Sequence, residues 1–208
     1  MHGTAMQAAA VKGHSATLEI LVKAKADPNL TGGPYGTALQ AAAALGHQHI
    51  VEILLQAKAD LNVIGGRFGT ALHAAVANGH QSITEILLQA KADPNIIWEP
   101  SYGTALQAAA VKGHSATLET LLQAKADPNL IGGLYGTALQ AAAARGHQDI
   151  IEILLQANAD PNILVGAYYG PLEAARRLGH HAIVELLMKT PGIRIPAYLQ
   201  KRRKITNE

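Results

Sequence analysis

Cysteine is absent from this chain of 208 residues, which excludes disulfides, thiolate metal ligands and cysteine nucleophiles. Charge is sparse at 15%, and aromatic residues make up only 4%, with a single Trp and a single Phe. No run approaches the roughly 18 to 20 uninterrupted apolar residues that a membrane span needs, and the first turns of the sequence lack a basic head followed by an apolar stretch. No membrane partner is expected, and a cytoplasmic or nuclear location is. The formal net charge of +2 hides an asymmetry. Residues 194–208 carry net +4, including the cluster Lys201, Arg202, Arg203 and Lys204, whereas residues 1–193 carry net −2. That cluster reads as a nuclear-import signal, a weak phosphate patch or a solubilising tail. Nucleic-acid binding is not expected as the main function, because the body is net negative and has no basic stripe.

What is present is repetition. A Gly-His pair recurs with its histidine at His14, His47, His80, His114, His147 and His180, at spacings of 33, 33, 34, 33 and 33. An internal period of this size dictates architecture before any local propensity does. Each of six units reads like Gly36-Thr37-Ala38-Leu39-Gln40-Ala41-Ala42-Ala43-Ala44-Leu45-Gly46-His47, followed by an apolar stretch such as Ile50 to Leu55, then Ala59-Asp60 and a Gly-rich link. The longer spacing comes from one extra residue in the link between Ile96 and Tyr102.

Two short helices per unit follow. The first is expected from about Thr37 to Ala44, stopped by Gly46 in a left-handed conformation. The second is expected from about His47 to Ala57, with Ile50, Ile53, Leu54 and Ala57 on one buried stripe. At two to three turns each, neither helix persists alone in water, so order must come from stacking on neighbours. Alanine keeps the first helix thin and allows close approach.

The 33-residue period, the Thr-Ala-Leu-Gln-Ala-Ala segment, the Gly-His pair and Ala-Asp-Pro-Asn before a hairpin together resemble ankyrin repeats over roughly residues 3–193. The resemblance implies an all-α solenoid of six helix-turn-helix units joined by β-hairpin fingers. Units are expected at about 1–35, 36–68, 69–102, 103–135, 136–168 and 169–193, with a basic tail at 194–208. The Tyr-Gly-Thr-Ala-Leu-Gln-Ala-Ala wording is also similar to ankyrin arrays of large fungal multidomain proteins of the NACHT or STAND type. No Gly-x-x-x-x-Gly-Lys-Ser/Thr loop occurs in this chain.

Departures from the family pattern matter. The proline of its Thr-Pro-Leu survives only as Pro171. The glycine that ends its second helix is replaced by Lys25, Lys58, Lys91, Lys125 and Asn158. Either those residues take positive φ, at about 1 kcal/mol for each lysine, or the helix end is rebuilt. A three-repeat block is duplicated at an offset of 100, so any repeated residue is first of all scaffold. Glu173, Arg176, Arg177, His181 and Lys189 give the last unit a polar cap, whereas the first unit copies an internal one. Its open face leaves room for an array that continues upstream, for a partner or for self-association.

Neither metal nor cofactor is expected: ladder histidines one repeat apart stand roughly 8 to 10 Å from each other, too far to share an ion. No catalytic residue is expected either, because nucleophile, base and orienting group do not cluster. The aromatics are more telling. Tyr35, Phe68, Trp98, Tyr102, Tyr135, Tyr168 and Tyr169 all lie in the links, where one ring per unit would hold finger to finger. Trp98 is unique, sits in the longer link, and neighbours Glu99 and Arg67; Trp, Tyr and Arg are the residue types that dominate interface energetics. A second variable set, including Asn78, Lys112 and Arg145, ends the first helices and alternates apolar with basic residues. The expected function is binding of a protein partner through the concave face and fingers, centred on Arg67, Phe68, Trp98, Glu99 and Tyr102 and flanked by Tyr35, Tyr135, Tyr168, Asn78, Lys112 and Arg145. The alternatives are a small-molecule or catalytic pocket on the concave face, and a structural spacer or homo-oligomerising array.

Overall fold

The computed structural model describes residues 3–99 and 102–195; Tyr198 and the basic cluster Lys201 to Lys204 lie outside the described residues. Twelve α-helices form six pairs among the described residues: α1 (Ala5–Lys12) with α2 (Ser15–Lys23), α3 (Ala38–Leu45) with α4 (Gln48–Gln56), α5 (Ala71–Ala77) with α6 (Gln81–Gln89), α7 (Ala105–Lys112) with α8 (Ser115–Gln123), α9 (Ala138–Arg145) with α10 (Gln148–Gln156), and α11 (Pro171–Arg177) with α12 (His181–Lys189). Four of the five links are fingers closed by single antiparallel bridges, Gly32 to Gly36, Gly65 to Gly69, Trp98 to Gly103 and Gly132 to Gly136, and no strand is formed among the described residues.

The first helices α1, α3, α5, α7 and α9 each start on a threonine in extended conformation, whereas α11 starts on Gly170 followed by Pro171. Thr37 accepts a hydrogen bond from the Gln40 amide N–H, while the Gln40 side chain accepts one from the Thr37 N–H, a capping box repeated at Thr4, Thr104 and Thr137. The same glutamine then reaches forward. Gln107 Nε2 donates to Leu130 O at 2.9 Å and Gly136 O at 2.7 Å, fastening its helix to the next finger. No buried side-chain nitrogen or oxygen among the described residues lacks a partner.

The Gly-His pair is a second inter-repeat lock. Gly46 ends α3 at φ 77°, and a Cβ there would come within 2.7 Å of the His80 imidazole from the next unit. His80 Nε2 in turn meets Ala44 O at 3.1 Å. Lysine does take the left-handed position at the end of the second helices: φ is 58° at Lys25 and Lys58, 73° at Lys91 and 69° at Lys125, with Asn158 at 63°. Lys58 sits in a Schellman cap, its neighbour Ala59 donating its N–H to Leu54 O.

The alanines Ala41, Ala42, Ala43, Ala74, Ala75, Ala108 and Ala109 are fully buried, and Leu54, Leu87, Leu118 and Leu154 anchor the second layer. Each such leucine contributes roughly 1.5–3 kcal/mol by leaving water. First helices contact neighbouring first helices more closely than second helices contact theirs. That difference bends the stack toward the first-helix layer, which becomes the inner side.

Candidate binding face

Fingers and first helices form one continuous face because a side chain at the end of each first helix leans back toward its own start. Lys112 Nζ lies 5.7 Å from the centre of the Tyr102 ring, and the Arg145 guanidinium 5.7 Å from that of Tyr135. In the second finger, the Arg67 guanidinium lies near two rings, 5.3 Å from the centre of Tyr35 and 5.8 Å from that of Phe68. Those rings stack on each other at 6.3 Å, and so do Tyr135 and Tyr168, the equivalent pair in the duplicated block. All four rings are half-buried against the core, while Arg67, Lys112 and Arg145 are exposed.

The structure therefore brings together Tyr35, Arg67 and Phe68, then Tyr102 with Lys112, then Tyr135, Tyr168 and Arg145. Trp98 is placed differently. It occupies the bridge position that Gly32, Gly65 and Gly132 hold in the other fingers, and its indole lies on Gly69 of the preceding finger, where a Cβ would come within 2.6 Å of its Cγ. It is half-buried by that contact. Glu99 Oε1 accepts the Gly133 N–H at 2.6 Å and ties the third finger to the fourth. Asn78 donates from Nδ2 to Ala74 O at 2.8 Å, capping its own helix. Tyr169, 68% exposed at φ 57°, belongs to neither ring stack.

A row of apolar side chains completes the face. Ile64, Ile97 and Ile131 stand just before the bridge position of successive fingers and Leu164 at the matching place of the next, unbridged finger, and they are 51%, 40%, 52% and 66% exposed. Exposed apolar side chains repeated in register form a patch rather than a scatter. Ile131 carries the signal that was available: it precedes a Gly-Gly pair, as Ile64 does, where the chain turns and cannot bury its neighbour.

Two titratable groups are displaced from their ordinary values. Burial pushes His73 down to about 4, against hydrogen bonds to the Gly103 and Ile96 carbonyls that favour its proton. On the second-helix side, a hydrogen bond from the Ser115 hydroxyl holds the Asp149 carboxyl below the usual range. Among the described residues no three His, Asp or Glu side chains are grouped so as to hold a metal ion, and no helix is long and apolar enough to cross a membrane.

A family model described as ankyrin repeats matches in three copies, at residues 5–97, 64–132 and 106–197. No curated protein matches the chain.

Proposed function

Because the chain belongs to the ankyrin-repeat family, whose members generally serve as protein-protein interaction modules, we propose that it binds a protein partner across its fingers and first helices. The observation that carries this reading is the register of exposed apolar residues on the fingers, Ile64, Ile97, Ile131 and Leu164, beside cations seated on half-buried rings. A surface already ordered by its scaffold loses little entropy on association. We place the centre of the contact at Arg67, Phe68 and Tyr102, with Tyr35, Tyr135, Tyr168, Lys112 and Arg145 along it. Trp98 and Glu99 stand at the same finger and also hold neighbouring fingers, and Asn78 shapes a helix end beside it. A host protein of the fungal multidomain type rests on the wording of the repeat alone.

Affinity capture from source-cell lysate tests the reading with three chains side by side: the parent, an Ile131→Glu/Leu164→Glu variant and a Glu85→Lys/Glu119→Lys variant of the second-helix side. A protein captured by the first and third and lost by the second supports it. Capture that ignores the finger substitutions, or fails only with the second-helix ones, overturns it.

A second reading, self-association through the first unit, has its own observation. Ile20 is 66% exposed, whereas Ile53 at the same position of the next unit is 8% exposed. Sedimentation of the parent and of Ile20→Glu decides it: a mass that rises with concentration only in the parent supports self-association, and concentration-independent mass in both removes it.

A further inference from the structure

The two sides of the array carry opposite charge. Second helices present one glutamate per unit, Glu19, Glu52, Glu85, Glu119, Glu152 and Glu185. The turns that follow pair a lysine with an aspartate, as Lys58 with Asp60, and are close to neutral. On the side of the fingers and first helices the two acids are both engaged: Glu99 accepts the Gly133 N–H, and Glu173 accepts from Arg176 and Arg177. Four exposed cations on that side, Lys12, Arg67, Lys112 and Arg145, pair with no carboxylate among the described residues. Three of them lie over rings, contacts that fix the cation while leaving its charge uncompensated.

Resting on the protein-binding reading, we propose that the occupant of this face is an acidic polypeptide segment that also carries aliphatic or aromatic side chains. Its carboxylates meet Arg67, Lys112 and Arg145, and its apolar side chains lie on Ile64, Ile97 and Ile131. The Tyr35–Phe68 and Tyr135–Tyr168 stacks are three repeats apart, roughly 30 Å at about 10 Å per packed unit. An extended segment bridges that span with about nine residues at 3.3 Å each. The acidic second-helix side repels the same segment, so the charge pattern selects the face as well as the partner. A nucleic-acid strand fits less well. It brings a phosphate about every 3.4 Å along a duplex strand, far denser than about one cation per repeat, and has no aliphatic groups for the finger row.

The test is selection of random 16-residue peptides by display on the immobilised 208-residue chain, with the Arg67→Glu/Arg145→Glu variant selected in parallel. Circular dichroism and thermal melting confirm that both chains are folded; the two positions are exposed. The expected result is enrichment of peptides rich in Asp and Glu with interspersed apolar residues. Their affinity should fall by at least about tenfold on the variant and weaken as salt is raised. Enrichment of neutral or basic peptides by the parent would overturn the acidic occupant while leaving the protein-binding reading intact. Absence of any enrichment removes both. A 20-nucleotide oligothymidylate titrated against the same chain supplies the remaining arm: tighter binding than the selected peptides overturns the proposal in favour of a polynucleotide.

Discussion

The imidazole Nε2 of His73 stands 3.0 Å from the carbonyl oxygen of Gly103, where Gln40 and Gln107 bring an amide to the next finger in their own units. A carbonyl only accepts, so Nε2 carries the hydrogen, and Nδ1 accepts from the Thr70 hydroxyl at 2.8 Å. The neutral ring thus does the glutamine's forward work. It gives up the backward bond to the cap threonine N–H, and the capping box present at Thr37 and Thr104 is missing at Thr70.

That exchange makes one repeat sensitive to acid. His73 is 2% exposed, and its folded value of about 4 lies below the ordinary 6.5. Between those values the unfolded chain binds the extra proton, so the contribution of His73 is complete above pH 6.5, declines as pH falls and is lost below about pH 4. The full loss is roughly 3 kcal/mol. Urea unfolding of the parent and of His73→Gln at pH 7.5, 5.5 and 4.5 should show a steeper decline in the parent. Parallel curves would remove the assignment.

Trp98 and His73 form a coupled pair. In the first, second, fourth and fifth units the glutamine Oε1 fills the space that a Cβ would take on the glycine before the cap threonine, and at Gly69 the indole fills it instead. A glutamine at position 73 would therefore press on the indole, and a glycine at position 98 would leave a gap beside the imidazole. Each of His73→Gln and Trp98→Gly should destabilise by about 1–3 kcal/mol, while the double variant recovers at least about 1 kcal/mol of their sum. Additive losses in a thermal or urea double-mutant cycle would show that the two substitutions are independent.

The period, the helix pairs and their stop signals were legible in the sequence because they are local and repeated six times. The ring ladder was legible only in part: Tyr35 meets Phe68 and Tyr135 meets Tyr168, but Tyr102, between the two pairs, stacks on neither neighbour and carries Lys112 instead. What the sequence hid is what one residue does to another repeat. Trp98 and Glu99 read by type as contact residues for a partner; that Trp98, at a bridge position, also lies on Gly69 and that Glu99 also reaches the Gly133 N–H could not be read from either residue. Both depend on the register between fingers, which no single unit encodes.

Gln107 tests how far the forward bonds hold the stack. Its side chain is 2% exposed and satisfies the Thr104 N–H together with the Leu130 and Gly136 carbonyls. Gln107→Leu keeps the volume and strands those groups away from water, at about 1–3 kcal/mol for each buried group left without a partner. Thermal melting should register a loss of at least about 3 kcal/mol; a loss under about 1 would mean that water enters the finger and replaces the amide.

The left-handed lysines give the opposite sign. At φ 58° and 69°, Lys58 and Lys125 hold a conformation in which a Cβ is crowded by the following carbonyl, and each is exposed, so its side chain adds little packing in return. Glycine removes the crowding and also enlarges the freedom of the unfolded chain, and the two effects oppose each other. The steric term is the larger, so Lys58→Gly and Lys125→Gly should each stabilise by about 0.5–1 kcal/mol, and the pair should add because the two sites lie two repeats apart. Asn158 supplies the control. Asparagine tolerates the same conformation at 63°, so Asn158→Gly should gain less than either lysine site in the same urea titration. An equal gain at all three positions would show that the side chain's identity there is immaterial, and that the helix end is held by the bond from Ala59 to Leu54 and its equivalents alone.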